Sequence, residues 1–242
     1  GQGAYVVKEN GTYRIEATDN VGNIKTEEIV VDKIDKIQPE LKVSGNTEEW
    51  TNRDVILTIE ASDAESGLKD VKVNGQEVNI TSSQGTYLVN SNGTYRIEAT
   101  DNAGNTKTEE VVINRIDKKA PTSNKPSAKV TANTIVVTAE QTDEMSGIKL
   151  LEYSINKENT WGEWQKSNTF SGLNVGTTYK IKTKATDNAG NYSESEELVI
   201  KTMPDEIQPE LKVSGNSEEW TDKDVTLTIE ASDAESGLKN VT

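Results

Sequence analysis

The hexapeptide TDNAGN occurs twice in this chain, at residues 100–105 and 186–191, and a near copy, TDNVGN, occupies residues 18–23. The surrounding sequence repeats as well, because residues 84–114 closely match residues 2–32. Repetition over stretches of this length indicates a chain assembled from successive copies of one structural unit. The fold must therefore be one that a short unit can form, which argues against a single large domain.

A second repeat joins residues 37–71 to residues 207–241. Residues 37–116 therefore hold both halves of one unit, whereas each end of the chain carries only one half. Residues 117–203 form a different unit that shares the hexapeptide. We expect the chain to be a window on a longer array, divided into the C-terminal half of a repeat, a complete repeat domain, a distinct domain and the N-terminal half of a repeat. These four parts span residues 1–35, 36–117, 118–204 and 205–242.

Alternation of apolar and polar residues predicts short strands in each unit. In DVILTIEA, at residues 54–61, every second residue is apolar, and the copy at residues 224–231 keeps that face. Asn74-Gly75 lies between two further alternating runs, which is a strong hairpin signal. Many such strands separated by turn residues predict an all-β chain of tandem antiparallel β-sandwiches. The predicted inward residues of two of these strands are Val55, Leu57, Ile59 and Ala61, and Tyr95, Ile97 and Ala99.

The hexapeptide joins two of these strands, TYRIEAT and TKTEEVVI, and is predicted to be their hairpin loop. Asp101 and Asn102 have short side chains that can cap backbone amides of the turn. Gly104 can adopt a positive φ at little steric cost. On this interpretation the hexapeptide recurs because the same hairpin recurs in successive domains.

The chain contains neither cysteine nor histidine among its 242 residues. This excludes thiol nucleophiles, disulfides, Cys/His zinc sites and the commonest general base. The formal net charge of −15 argues against nucleic acid and anionic membranes as partners, since both are negatively charged. No apolar run approaches the ~20 residues that span a bilayer. We therefore expect neither catalysis nor membrane insertion in this segment.

The sequence NGTYRIEATDNAGN, followed by VVINRIDKKAPT, resembles the bacterial Ig-like repeats of Gram-positive surface and secreted proteins. The distinct middle domain, which contains FSGLNVGTTYKIKTKATDNAGNYSESEELVIKT, is similar to fibronectin type III domains. In that family a Tyr hydroxyl bonds back to nearby backbone, and Leu173, six residues before Tyr179, matches this corner. The resemblance implies Ig-like and fibronectin type III-like sandwiches arranged as an elongated array, and it supplies no catalytic residues.

Each unit carries acidic residues at three corresponding positions: the linker before its first strand, the loop after its second strand, and the hexapeptide. In an Ig-type sandwich these segments meet at the end where the preceding domain joins. Calcium prefers six to eight oxygen ligands, so one prediction is a calcium ion at each domain junction; the alternative is that each Asp only caps its own turn. The predicted calcium ligands are Asp35, Asp63, Asp101, Asp117, Asp143 and Asp187; the half-repeats carry Asp19, Asp205 and Asp233 at matching positions, and Glu65, Glu144 and Glu235 are nearby in the sequence.

Trp161 and Trp164, in the sequence WGEW, are candidates for binding a ligand by stacking on a sugar ring. The alternative is that both side chains are buried in the core or cover a sheet edge, as Trp side chains often do in a small sandwich with few aromatic residues. Trp50 and Trp220 precede the second strand of their repeats and have the same two interpretations.

The two half-repeats cannot cover their own apolar faces or sheet edges. The residues predicted to lie open are Val225, Leu227 and Ile229 in one half, and Tyr5, Tyr13 and Ile15 in the other. Because the halves are complementary, we expect neighbouring copies of the chain to pair head to tail, giving a composite domain and an open fibre. The alternative is a longer continuous array in which further repeats cover these faces.

These features predict a non-catalytic stalk, spacer or fibre-forming segment of a secreted, cell-wall or cell-surface protein. A net charge of −15 would keep neighbouring copies soluble. One alternative is an adhesin module in which the Trp-bearing domain binds a host glycan or matrix protein. Another is an accessory module of a secreted polysaccharide-degrading enzyme.

Overall fold

The computed structural model describes residues 2–46, 48–215, 219–233 and 237–242. All regular elements in these residues are β-strands, and the strands pair antiparallel in every sheet. The predicted all-β, antiparallel fold class is therefore confirmed. Within the described residues there is no helix that could cross a membrane. The chain divides into two compact units, residues 1–116 and residues 117–242.

The first unit contains a two-stranded pair followed by a complete sandwich. In its described residues the strands are β1 (Gly11–Thr18), β2 (Ile24–Val31), β3 (Glu40–Ser44), β4 (Val55–Ser62), β5 (Leu68–Val73), β6 (Gln76–Glu77), β7 (Gln84–Val89), β8 (Gly93–Asp101) and β9 (Thr106–Ile113). The pair is β1-β2. The sandwich consists of a sheet in the order β3-β4-β7 and a sheet in the order β6-β5-β8-β9.

The core of this sandwich lies between β4 and β8. Leu57 and Ile59 of β4 and Ile97 of β8 are completely buried and belong to one apolar cluster, so the two sheets pack face to face. Burial of a side chain of this size stabilises the fold by about 1.5–3 kcal/mol. Ile56, which alternates with the buried residues, is exposed. The alternation in the sequence predicted the buried face correctly, because successive side chains of a strand point to opposite sides.

Two short loops connect the strands of the second sheet. Asn74 and Gly75 join β5 to β6 with φ angles of 47° and 82°, both positive as a type I′ turn requires. The hexapeptide joins β8 to β9 and closes with Thr100 opposite Thr106, and Gly104 has a φ of 95°. Both predicted hairpins are present.

The second unit contains another sandwich and a terminal strand pair. In its described residues the strands are β10 (Thr122–Ser123), β11 (Ser127–Val130), β12 (Ile135–Thr138), β13 (Gln141–Thr142), β14 (Ile148–Lys157), β15 (Thr160–Trp161), β16 (Thr169–Phe170), β17 (Thr178–Asp187), β18 (Tyr192–Glu194), β19 (Leu198–Lys201), β20 (Glu210–Ser214) and β21 (Thr228–Ser232). One sheet has the order β11-β12-β16; the other has the order β15-β14-β17-β18, with β19 also paired to β17. β10-β13 and β20-β21 are separate pairs.

A buried tyrosine joins the core of the second sandwich to its backbone. Tyr179 packs in the apolar cluster beside the completely buried Ile181. Its hydroxyl accepts a 2.9 Å hydrogen bond from the N–H of Asn174. This is the contact that the resemblance to fibronectin type III domains implied for this residue.

The terminal pairs β1-β2 and β20-β21 have the strands of a sandwich without a facing sheet. Leu227 exposes 52% of its surface, whereas Leu57, its counterpart in the complete sandwich, exposes none. Ile15 exposes 54%, whereas its counterpart Ile97 exposes none. The residues expected to lie open in the half-repeats are therefore exposed, except Tyr13, which is half-buried.

Candidate metal centre

The loop between β17 and β18 is closed by two residues of the hexapeptide, Asp187 and Asn191. The N–H of Asn191 donates a 2.8 Å hydrogen bond to Oδ1 of Asp187, and its side-chain amide donates a 2.7 Å bond to Oδ2. The Asp side chain of the loop thus accepts a hydrogen bond from the loop's own backbone, as expected if each Asp caps its own turn. The same two bonds join Asp101 to Asn105 and Asp19 to Asn23 in the other copies of the hexapeptide.

Another residue of the hexapeptide, Asn188, attaches this loop to the loop that follows β13. Its side-chain amide donates to the carbonyl oxygens of Ser146 at 2.7 Å and Gly147 at 3.2 Å. Asn102 makes the corresponding bonds in the first sandwich. We expected Asn102 to cap amides of its own turn; the structure instead shows its amide donating to carbonyls of a second loop. Only the tertiary fold brings these two loops within reach.

Asp143 organises the loop that follows β13. Its Oδ1 accepts hydrogen bonds from the N–H groups of Ser146 at 2.8 Å and Gly147 at 2.6 Å. Asp63 caps the corresponding loop of the first sandwich in the same way. Among the described residues, every hydrogen bond donated to either Asp goes to Oδ1. Each of these residues therefore caps its own turn with Oδ1 alone.

Asp117 connects the start of the second unit to both loops. Its Oδ2 accepts a 3.1 Å hydrogen bond from the N–H of Ser146, and its Oδ1 accepts a 3.0 Å bond from the N–H of Lys119. The carbonyl oxygen of Asp117 accepts a 3.0 Å bond from the side-chain amide of Asn191. These contacts hold Asp117 beside the two loops that carry Asp143 and Asp187.

Asp117, Asp143 and Asp187 form an acidic group at this end of the second sandwich. One carboxylate oxygen of each residue lies within 4.8 Å of the corresponding oxygens of the other two. Asp117 and Asp187 are completely buried, and Asp143 is half-buried. Negative charges this close repel one another, and more strongly away from water. Three carboxylates at this spacing can provide part of the oxygen shell of a calcium ion.

The first sandwich has an acidic group of different composition. Asp35, Asp63 and Glu65 bring one carboxylate oxygen each within 4.8 Å of one another. Asp101, which we expected beside Asp35 and Asp63, lies outside this group, although it is completely buried. Oδ2 of Asp35 is buried and has no hydrogen-bond partner in the described part of the chain. The structure therefore brings two of the predicted ligands together and adds Glu65.

The other acidic residues named from the sequence make local contacts. Asp205 and Asp233 each accept a hydrogen bond from a backbone N–H two or four residues further along the chain. Glu144 forms an exposed ion pair with Lys119 at 3.6 Å. Glu235 lies outside the described residues.

Hydrogen bonding keeps the pKa of Asp101 below its ordinary value. Burial raises this pKa, but the bonds donated by the side chain and backbone of Asn105 and by neighbouring N–H groups favour the charged carboxylate and outweigh the effect of burial. The pKa of Asp19 is also lowered, chiefly by the hydrogen bond from the side chain of Asn23. In the copies of the loop that contain Asp101 and Asp19, these bonds therefore favour the ionised carboxylate.

Trp161 and Trp164 lie on the surface of the second sandwich and not in its apolar core. Nζ of Lys182 lies 5.3 Å from the ring centroid of Trp161, and Nζ of Lys184 lies 4.7 Å from that of Trp164. At these distances an ammonium group is attracted to the face of an indole. Trp161 exposes 36% of its surface, and Trp164 is half-buried. We call these four residues the Trp–Lys patch.

Several solved structures resemble this chain in fold. A segment of titin aligns over 80% of this chain and 75% of its own length, with 15% identity and a TM-score of 0.48. The FN1–FN3 domains of chicken CNTN1 align over 79% and 77%, with 18% identity and a TM-score of 0.32. The fibronectin(III)-like modules of CbhA from Clostridium thermocellum align over 67% and 94%, with 14% identity and a TM-score of 0.30. No protein-family model matches the chain, and it has no significant match among curated proteins. The likeness concerns the fold alone.

Proposed function

We propose that this chain is a non-catalytic spacer segment of a bacterial cell-surface or secreted protein. The observation that carries the proposal is that both complete sandwiches build the same loop junction, in which Asp101 and Asn102 in one and Asp187 and Asn188 in the other make matching bonds. A spacer gains length and stiffness from repeating one unit, whereas catalysis needs one distinctive site.

We further propose that the acidic groups bind calcium and stiffen the ends of the sandwiches. In the second unit, two buried carboxylates and one half-buried carboxylate share a small volume, and a divalent cation would relieve their repulsion. In the first unit, a buried oxygen of Asp35 lacks a hydrogen-bond donor among the described residues, as a metal ligand would. The residues that would hold the ion are Asp117, Asp143 and Asp187 in the second unit and Asp35, Asp63 and Glu65 in the first.

Thermal unfolding of the chain in millimolar calcium and in chelator tests the calcium proposal. We expect calcium to raise the unfolding temperature, because an ion that binds only the folded state stabilises it. Asp143→Asn should remove most of the shift for the second unit, since Asn keeps an oxygen for the loop amides but loses the charge. Glu194→Gln, which alters an exposed acid on β18, is the matched control and should keep the shift. No heat of binding by calorimetry and equal unfolding temperatures would exclude calcium.

Small-angle X-ray scattering at low protein concentration separates the spacer proposal from the calcium proposal. A spacer requires an extended particle, and calcium at the domain ends should make it stiffer than the same protein in chelator. A compact particle under both conditions would contradict the spacer role. Identical extended curves would contradict only the calcium proposal.

A second candidate function is carbohydrate binding at the Trp–Lys patch. Surface indoles can stack on sugar rings, and the two ammonium groups can donate to hydroxyl or carboxylate oxygens of the same ligand. Tryptophan fluorescence during titration with oligosaccharides of plant and mammalian type tests this candidate. Carbohydrate binding is supported if Trp161→Ala abolishes the fluorescence change and Tyr192→Ala preserves it. Tyr192 serves as the control because it is an exposed aromatic residue outside the patch. No fluorescence change with any of these sugars would count against it.

A further inference from the structure

A groove lies along one edge of the second sandwich, where both of its sheets end. β15 is the last strand of one sheet, and β16 is the last strand of the other. Residues of both strands line the groove, which has a volume of about 570 Å³. This volume is within the range of sites that bind small-molecule ligands.

The base of the groove is apolar. Ile155 and Phe170 line it, and both are buried members of the apolar cluster of this sandwich. Trp161 also lines the groove and keeps 36% of its surface exposed. Trp164, the other indole of the Trp–Lys patch, lies outside the groove. The groove therefore offers one indole and an apolar base to the flat face of a ligand.

The rim of the groove carries exposed polar side chains, those of Lys157, Thr160, Glu163 and Ser171. Among the described residues, neither Lys157 nor Glu163 has an ion-pair partner. An ammonium group donates hydrogen bonds, a carboxylate accepts them, and a hydroxyl does both. The rim can therefore bond to both the hydrogen and the oxygen of a ligand hydroxyl group, and its two charges cancel.

Hydrogen bonds and a tight turn fix the wall formed by β15. Glu158 and Asn159 join β14 to β15 with φ angles of 50° and 66°, both positive as a type I′ turn requires. The N–H of Gly162 donates a 2.9 Å bond to the carbonyl oxygen of Ile155, and the hydroxyl of Ser154 donates a 2.7 Å bond to that of Gly162. A wall held in this way loses little conformational freedom on binding, which favours affinity.

The bonds at this edge disfavour a peptide strand as the ligand. Nε2 of Gln165 donates to the carbonyl oxygens of Ser167 at 2.8 Å and Thr169 at 3.2 Å. The N–H of Gly162 is bonded to Ile155. A strand that adds to a sheet edge binds through backbone groups of this kind. The groove is therefore better suited to a ligand that binds through side chains.

The charges around the groove favour an uncharged ligand. Nζ of Lys184 lies 2.8 Å from a carboxylate oxygen of Glu152, and Nζ of Lys182 lies 3.6 Å from one of Glu194. Both ammonium groups of the Trp–Lys patch are thus paired with acids of the protein. The net charge of −15 also repels negatively charged polymers.

We propose that the groove binds a neutral pyranose unit of an oligosaccharide. This inference rests on the second candidate function, carbohydrate binding, and gives it a defined site and class of sugar. A pyranose carries C–H groups on its faces and hydroxyl groups around its ring. The faces match Trp161 and the apolar base. Glu163 accepts a hydrogen bond from one hydroxyl of the sugar, and Lys157 donates one to another.

Saturation-transfer NMR of the full chain with short oligosaccharides tests the proposal. The neutral probes are oligomers of glucose, mannose, galactose and N-acetylglucosamine, and the charged probe is oligogalacturonate. We expect a saturable signal from at least one neutral probe and none from the charged one. Trp161→Ala should abolish binding. Glu163→Gln should weaken it about tenfold, because a hydrogen bond to a charged acceptor becomes one to a neutral acceptor.

Glu144→Gln is the matched control for Glu163→Gln, since it neutralises an exposed acid outside the groove and should leave the affinity unchanged. Thermal unfolding shows whether each variant is folded, and the exposed position of Glu163 keeps the test valid if Trp161→Ala is not.

Three results would overturn the proposal, and they differ in what else they exclude. Binding that Trp161→Ala abolishes but Glu163→Gln leaves unchanged would put the sugar on the Trp–Lys patch outside the groove, and carbohydrate binding would stand. Binding of oligogalacturonate alone would show that the ligand is an acidic sugar. No signal from any probe would exclude the groove and count against carbohydrate binding altogether, while the spacer proposal would be unaffected.

Discussion

Asn191 donates two hydrogen bonds to Asp187, a 2.8 Å bond from its backbone N–H to Oδ1 and a 2.7 Å bond from its side-chain amide to Oδ2. The same side-chain amide donates a 3.0 Å bond to the carbonyl oxygen of Asp117. One amide group therefore connects the two buried acidic residues of the second unit. Hydrogen bonds within the second unit therefore hold these two acidic residues in place.

Asn191→Ala should destabilise the second unit by about 1–3 kcal/mol, because it removes two hydrogen bonds from a buried network. Urea unfolding followed by Trp fluorescence, to which Trp161 and Trp164 of the second sandwich contribute, measures the loss. Asn23→Ala is the matched control, since it removes the same side-chain bond from an exposed copy of the hexapeptide. We expect the control to cost less than about 1 kcal/mol. Equal costs for the two variants would show that burial of the loop is irrelevant.

Asp101 should make the stability of the first unit depend on pH at the acidic end. Because its pKa in the folded state lies below the ordinary value, its ionised form stabilises the fold at neutral pH. This contribution persists above the unfolded-state pKa of about 3.9 and is lost as the pH falls through the lower folded-state pKa. Asp101→Asn should therefore lower the unfolding temperature at pH 7, and its deficit should shrink towards pH 2. Glu110→Gln, at an exposed strand position, should show no such trend; a constant deficit for Asp101→Asn would contradict the assignment.

Tyr179→Phe should destabilise the second sandwich by about 0.5–1.5 kcal/mol, because the N–H of Asn174 loses the acceptor that the buried Tyr179 provides. Urea unfolding measures the difference. Tyr192→Phe removes a hydroxyl from an exposed ring and should change stability by less than about 0.5 kcal/mol. Equal stability of the wild-type protein and Tyr179→Phe would mean that the corner bond contributes nothing.

Gly45→Ala and Gly104→Ala separate backbone strain from steric overlap. Both glycines have φ near 100°, at 104° and 95°, a conformation that L-residues rarely adopt. A Cβ at Gly45 would overlap the carbonyl oxygen of Ile56, whereas a Cβ at Gly104 would meet open space. We expect Gly104→Ala to lower the free energy of unfolding by about 1–2 kcal/mol, because the backbone conformation is unfavourable for Ala. Gly45→Ala should lower it by about 2–4 kcal/mol, because the steric overlap adds to the same backbone strain. Equal losses in thermal unfolding would show that the strand pair relaxes around Gly45.

The acidic loops show how far local sequence predicts a site. The Asx caps of Asp63, Asp143 and Asp187 could be predicted because each Asp binds amides a few residues away, and that geometry depends only on the turn. Asp117, Asp143 and Asp187 come together as the sequence predicted, whereas the composition of the group in the first unit could not be predicted. Glu65 joins Asp35 and Asp63, while Asp101 stays outside, because the position of each carboxylate depends on how separate loops dock at the sandwich end.

The sequence by itself determined the strands and their faces. The two-residue period of a strand assigns Leu57, Ile59 and Ile97 to one side whatever the rest of the fold does. The tertiary structure alone decided whether that side is buried. Leu57 and Leu227 occupy matching positions in repeated sequence, yet only Leu57 is removed from water. Burial depends on a facing sheet, which the strand itself does not contain; only an element from elsewhere in the chain, or from another copy, can provide it.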